Sequence, residues 1–155
     1  MKPLPNVRMN EKVVVKPVGR SQLAEVGKIL VITWGGFIKD PGTTLKWVGP
    51  KVEAGLEQPF IAYLEGKPVG TVCPLLDRKS ASGRLDGGVH VLPEYRRQRI
   101  GTTLLITALK WLKNNGMKEA WVIPWNPEGE MATQRAISFY LSNEGTIVKS
   151  DSIEA

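Results

Sequence analysis

The sequence predicts one α/β domain, a sandwich of helices on a sheet that combines an antiparallel hairpin with a βαβ crossover. Three observations predict it. Strand-type and helix-type segments follow in the order β-α-α-β-β-β-α-β-α-β over 155 residues. Two β-rich runs, residues 60–64 and 69–75, flank the turn Glu65-Gly66-Lys67. A strand at Val89-His90-Val91 feeds an arginine-dense turn and a helix opening near Gly101, after which another strand follows. A chain of this length, 1–155, fits a single core, and two domains would each be small.

Each element has a local reason. Residues 1–10, with Pro3, Pro5 and Asn6, read as a loose lead-in. Val13-Val14-Val15, ended by Pro17, is the first strand. Ser21 can cap a helix over 21–34, with Leu23, Val26, Leu30 and Val31 at helical spacing. Gly35-Gly36 and Asp40-Pro41-Gly42 break it, and a second helix over 43–54 is expected to be interrupted at Gly49-Pro50. After the hairpin, residues 79–83 read as a looser loop. The helix behind the arginine turn carries Leu104, Leu105, Ala108, Leu109 and Leu112 on one face and stops at Asn115-Gly116. Residues 120–123 form the next strand, with Trp111 and Trp121 read as core. A helix over 131–143 turns Ala132, Ala136, Ile137 and Tyr140 to one side, Gly145 ends it, and 146–148 is a short last strand.

Composition narrows the class. Apolar residues at 42% and charged residues at 23% are ordinary for a globular chain. A net charge of +6 favours an anionic partner without separating nucleic acid from a phosphorylated cofactor, and a solvated lysine-rich surface accounts for it equally. The single cysteine, Cys73, excludes an internal disulfide framework, fits a reducing cytoplasm and reads as packing. No signal-peptide pattern or bilayer-length apolar run is present, so a cytoplasmic protein without membrane contact is expected.

The chemistry concentrates around the fourth strand. A helix N-terminus offers N–H groups without intrahelical partners and a partial positive charge. Arg96, Arg97 and Arg99 add full charges there, which makes an anion loop; the alternative is a solvated arginine turn. Gly87-Gly88 weakens a regular ladder, and Pro124 on the neighbouring strand lacks a donor. Together they suit an opening between two strands; a hairpin turn and an edge strand are the plainer reading.

In this order the residues resemble the GNAT family of acetyl-CoA-dependent N-acetyltransferases. Val91-Leu92-Pro93, Arg96, Arg99 and Gly101 fall in sequence on the family's cofactor motif. The hairpin over 64–72 is similar to its second and third strands. Ala136-Ile137-Ser138-Phe139-Tyr140 with Asn143-Glu144-Gly145 resembles its last helix and the stop after it. The likeness spans 11–149. It implies a mixed central sheet, mostly antiparallel with a splayed parallel pair, helices on both faces, and a shortened C-terminus. Arg99 stands where the family usually has the first loop glycine, and Thr133 where an asparagine commonly begins the last helix. Too few residues follow Gly145 for the usual closing strands. The seventh strand is then missing or supplied by a partner, in a homodimer through the C-terminal sheet edge.

The resemblance implies acetyl-CoA as donor and no metal. The main chain of Val89 and Val91 would pair with the pantetheine arm. The N–H groups of Arg97, Gln98, Ile100, Gly101 and Thr102 would hold the phosphates beside Arg96 and Arg99. Asn126 and Thr133 would lie near the cofactor opening, as would Trp125. Tyr140 of the Phe-Tyr pair would sit near the sulfur, where a phenol can serve a departing thiolate. His90, the one histidine, titrates in the range of a general base, although strand alternation can equally turn it to the helix layer; Asp86 and Glu53 are weaker candidates. Trp34, Phe37 and Trp47 would line the acceptor pocket, or pack the two helices together. The expected activity is transfer of acetyl to a primary amine of a small molecule or protein, by direct attack in a ternary complex. The alternatives are a GNAT-fold regulator that binds acyl-CoA without catalysis, and a basic nucleic-acid-binding module. The latter is disfavoured because the arginines gather in one turn.

Overall fold

The computed structural model describes residues 3–146. Strand β1 (Val13–Pro17) leads into helices α1 (Leu23–Thr33) and α2 (Gly42–Glu53). Strands β2 (Phe60–Leu64), β3 (Lys67–Val72), β4 (Pro74–Asp77), β5 (Ser82–Leu85) and β6 (His90–Val91) follow. Then come α3 (Ile100–Asn114), β7 (Glu119–Trp121) and α4 (Glu130–Ser142). The order β1-β2-β3-β6 is antiparallel throughout, whereas in β4-β5-β7 the β5–β7 pair is parallel.

Two apolar layers cover the sheet. One face packs α3, through Ile100, Leu104, Leu105, Ala108 and Leu112, against Val13, Ala62, Val69 and Val72. The other packs α1, through Leu23, Val26 and Ile29, against Ile61, Cys73 and Val48 of α2. The strand alternation of β2 sends Ile61 to one cluster and Ala62 to the other, as the two-residue period requires.

Several elements differ from their sequence-based expectation. Ser21 does not cap α1: a 3₁₀ turn over Arg20–Gln22 precedes the helix, with Gly19 at its start. Helix α2 runs through Gly49-Pro50 unbroken, and Gly49 lies buried against side chains of Leu45, Arg20 and Leu23. The second hairpin arm divides at Cys73, and the supposed loop over 79–83 is a turn that begins a further antiparallel pair, β4–β5. Trp121 is 44% exposed rather than core and lies 5.5 Å from the Arg84 guanidinium, because β7 is the edge of its sheet. Residues 6–10 are not loose; they are hydrogen-bonded to the turn before α3, to α3 itself and to Glu144. The strand expected at 146–148 falls almost wholly outside the described residues, and Thr146 itself has no strand assignment.

Candidate active site

The site begins where the parallel ladder ends. Strands β5 and β7 pair as far as Arg84 and Trp121. Beyond that point Gly87 and Gly88 adopt left-handed backbone, with φ of 79° and 85°. On the β3 side the pairing continues, from Asp86 N–H to the Cys73 carbonyl at 2.9 Å and from Leu92 N–H to the Val69 carbonyl at 2.8 Å. Strand alternation therefore turns the N–H groups of Val89 and Val91 away from β3, into the gap beyond β7, on the side where Val122 approaches Gly88. Pro124 has no N–H to close that gap.

Tyr140 reaches into it from α4. Its hydroxyl accepts the Val89 N–H at 2.9 Å, and it donates to no acceptor among the described residues. Burial pushes the phenol up to about 12, with the Val89 hydrogen bond pulling the other way. The group is a neutral O–H throughout the range in which proteins work. Gly88 is required here, because a Cβ would stand 2.8 Å from the Tyr140 oxygen.

The arginine turn forms an open cradle. Arg97 and Arg99 both adopt left-handed backbone, at φ 64° and 60°, and Arg99 caps α3. Successive N–H groups converge in such a conformation. Those of residues 97–102 donate to no protein acceptor among the described residues; the first helical bond is Thr103 N–H to the Arg99 carbonyl at 3.1 Å. The side chains point elsewhere. Arg96 Nε donates to the Val91 carbonyl at 3.3 Å, and Arg99 Nη1 donates to the Arg8 carbonyl at 3.4 Å. The Thr102 hydroxyl donates to Asn143 Oδ1 at 3.2 Å. Gly101 makes room for α4, since a Cβ would lie 3.1 Å from the Phe139 ring. Asn126 and Thr133 hold each other, the Thr133 hydroxyl accepting Asn126 N–H at 3.0 Å, which fixes the loop entering α4.

His90 is brought to the site but closed off. Its Nε2 lies 2.7 Å from the Gly87 carbonyl and its Nδ1 lies 2.9 Å from the Thr33 hydroxyl. A carbonyl only accepts, so Nε2 carries the proton, and the one proton of the Thr33 hydroxyl lies between Nδ1 and the Ile29 carbonyl 3.1 Å away. Burial pushes the imidazole down to about 4, and the Gly87 bond offsets little of that.

Four aromatic rings lie against this region. Trp34 packs edge-on against Phe37 at 5.0 Å, His90 at 5.3 Å and Trp125 at 5.9 Å, and Phe37 reaches Trp47 at 5.4 Å. Phe37, Trp47 and Trp125 are exposed. The three acceptor-pocket candidates are thus contiguous, and Trp125 joins them, a grouping hidden from sequence reading by the 78 positions between Trp47 and Trp125.

Beside the glycines lies a charge cluster that the sequence did not announce. Lys51 Nζ bonds Asp86 Oδ2 at 2.9 Å and lies 3.5 Å from Glu57 Oε1, while Arg84 reaches Asp86 at 3.3 Å. Burial pushes the Glu57 carboxyl up to about 9; the Asp86 charge adds to this and Lys51 only partly opposes it. Burial also resists ionisation of Asp86, but hydrogen bonds from Lys51 and Glu57 hold its carboxyl below the ordinary range. Glu53 stands apart, paired with Arg20 on the surface. Cys73 is buried, which pushes its thiol well up, with the Glu57 and Asp86 charges adding to the effect.

Comparison with known structures gives the same fold. An aminoglycoside N-acetyltransferase in complex with CoA superposes with a TM-score of 0.71 at 14% identity, over 88% of this chain and 90% of that one. An aminoglycoside antibiotic 6'-N-acetyltransferase from Acinetobacter baumannii gives 0.69 at 17% identity, over 88% and 92%. A ribosomal-protein-alanine N-acetyltransferase from Brucella melitensis biovar Abortus 2308 gives 0.67 at 12%, over 89% and 94%. No curated protein matches by sequence. The sequence model of the acetyltransferase (GNAT) family matches residues 29–143, from within α1 to the C-cap of α4. The chain belongs to the GNAT acetyltransferase family.

Proposed function

We propose that this protein transfers an acetyl group from acetyl-CoA to a primary amine by direct attack within a ternary complex. The observation that carries the reading is the coincidence of a free N–H cradle at α3, a strand gap lined by Val89 and Val91, and a buried neutral phenol at that gap. The cradle suits a pyrophosphate, and the gap suits an extended amide-bearing arm that hydrogen-bonds the exposed main chain. Solved members of the fold bind CoA, which supports the same donor here.

In this reading the amine nitrogen bonds the thioester carbon and the carbon–sulfur bond breaks. Charge developing on the carbonyl oxygen is met by the strand N–H of Val91, since that of Val89 is taken by Tyr140. The departing thiolate takes the Tyr140 proton. His90 serves as a spacer between Gly87 and Thr33 rather than as base, since both its nitrogens are engaged. The amine nitrogen then loses its proton, through water, to the Tyr140 phenolate, which restores the phenol. Trp34, Phe37, Trp47 and Trp125 form the acceptor wall, which suits an amine whose body is apolar or stacks as a cation. Amines of small molecules and of proteins both fit this description. Neighbours of the fold act on aminoglycosides and on a ribosomal protein.

The closed state of His90 favours one rival, an acyl-CoA-binding regulator without turnover. Melting with acetyl-CoA, CoA and ATP, followed by thiol release across a panel of amines, separates the two. A ligand that binds only the native state at a hundredfold excess over Kd adds about 2.7 kcal/mol, or roughly 5–10 °C in Tm. Both CoA species should produce such a rise, and at least one amine should release thiol. Absence of a shift with either CoA ligand sinks the reading, and a shift without turnover selects the regulator.

A further inference from the structure

The N-terminal segment is fastened to the cradle by a chain of hydrogen bonds. Asn10 Nδ2 donates to the Gln98 carbonyl at 2.7 Å, and Asn10 N–H donates to the Thr103 hydroxyl at 3.1 Å. That hydroxyl in turn donates to the Arg99 carbonyl at 2.8 Å, and the Arg99 guanidinium donates to the Arg8 carbonyl. Asn10 itself is anchored at the start of β1, where its Oδ1 accepts Lys12 N–H at 2.9 Å and its carbonyl accepts Val13 N–H at 3.2 Å.

The geometry of the peptide unit gives these bonds a consequence. In a trans peptide the carbonyl and the following N–H point in opposite directions. Holding the Gln98 carbonyl toward Asn10 therefore sends the Arg99 N–H the other way. Arg97 and Arg99, on either side, keep left-handed backbone that a side chain resists and glycine tolerates. Left alone, such a turn relaxes and its N–H groups scatter. Arg99 also keeps its side chain out of the cradle by bonding Arg8.

We propose that Asn10 is a positioning residue for the anion cradle: by pinning the Gln98–Arg99 peptide it aims the loop N–H groups and lets an arginine occupy position 99. The inference rests on the cradle binding the phosphates of CoA. It assigns residues 6–10 a part in cofactor affinity.

The test is a double-mutant cycle of Asn10→Ala with Arg99→Gly, read by CoA titration, acetyl-CoA kinetics and hydrogen exchange of the Thr103 amide, which bonds the Arg99 carbonyl. In the wild-type background Asn10→Ala should weaken CoA and raise the acetyl-CoA KM by about tenfold, the worth of one charge-assisted hydrogen bond, with kcat unchanged. In the Arg99→Gly background the same change should matter less than about threefold, because glycine holds the left-handed conformation unaided. Exchange at Thr103 should rise in Asn10→Ala and fall back in the double variant. Asn10→Asp, which keeps the acceptor for Lys12 but replaces the donor to Gln98 with a charged oxygen, should speed the same amide and covers the case in which alanine does not fold. Equal loss in both backgrounds, or unchanged exchange in Asn10→Ala and Asn10→Asp, overturns the assignment. Wild-type protein that binds no CoA refutes the phosphate reading instead, while the exchange data still decide the clamp.

Discussion

The Tyr140 hydroxyl accepts the Val89 N–H at 2.9 Å, tying α4 to a strand segment 51 residues earlier at the point where the two parallel strands part. One bond thus fixes both the phenol and the width of the gap beside it. The Tyr140 oxygen still has its proton to give.

Tyr140→Phe removes that proton and leaves the ring packing on Phe139 intact. Transfer should slow by about a hundredfold, the low end of what a positioned acid supplies, while the CoA-induced melting shift persists. Stability should fall by about 1 kcal/mol for the lost hydrogen bond to Val89. Because the phenol is held up at about 12, no decline in wild-type rate below pH 10 should trace to Tyr140. An unchanged kcat in the variant from pH 6 to 9 removes Tyr140 from the mechanism.

Gly88→Ala tests the same contact from the strand side. The added methyl stands 2.8 Å from the Tyr140 oxygen at a φ of 85°. The strain should cost about 1–3 kcal/mol in urea denaturation, and transfer should slow along with it. A variant as stable and active as the parent refutes the close approach.

His90 makes a pH prediction with a definite sign. Its imidazole is held down at about 4 in the folded chain against an ordinary 6.5. Between those values the unfolded chain binds the proton and the folded one does not. The contribution is therefore full above pH 6.5 and disappears as pH falls toward 4; it amounts to about 3 kcal/mol at most. The difference in urea midpoint between wild type and His90→Asn should change over pH 4–6.5 and level off above it. A constant difference across that window refutes the buried neutral state.

Glu57 acts in the opposite direction. Its carboxyl is held up at about 9, so from pH 4.5 upward the unfolded chain gives up the proton first and stability drains away as pH rises. Glu57→Gln imitates the protonated group without that penalty. It should be more stable than the parent at pH 8, with the gap shrinking toward pH 5. Thermal melts at the two pH values check this, and a variant less stable at pH 8 contradicts it.

The aromatic wall yields a split between substrates. Phe37→Ala or Trp47→Ala should raise the KM of the acceptor amine about tenfold, the loss expected from one exposed stacking contact and its buried area. The acetyl-CoA KM should stay the same. Equal effects on both substrates would falsify the assignment of these rings to the acceptor side.

What the sequence made legible were features written in neighbouring residues. Helix α3 follows from its Leu104–Leu105–Ala108–Leu112 spacing, and the β2–β3 hairpin from its turn residues. The strand gap was foreshadowed by Gly87-Gly88 and Pro124. Strand β5 escaped because Ser82-Gly83-Arg84 has no β-branched residue, and its Gly83 is glycine to admit Leu112, a tertiary demand. Trp121 looked like core because an apolar run does not say which strand is an edge. The Lys51–Glu57–Asp86 cluster and the Asn10 clamp were invisible for a common reason. Asp86 lies 35 positions from Lys51 and Thr103 lies 93 from Asn10, and the polar groups acquire meaning only when the fold brings them together.

The parting of β5–β6 from β7 has a thermodynamic side. Beyond Arg84 and Trp121 the sheet leaves the main-chain donor at Val91 without a strand across from it, that of Val89 going to Tyr140, and in the proposed function the missing rungs are the space a ligand fills. An extended molecule bonded there acts as a temporary strand. Occupancy and cohesion of the sheet are then one quantity: the protein should resist proteolysis around residues 85–92 and 120–126 in proportion to how fully the gap is filled.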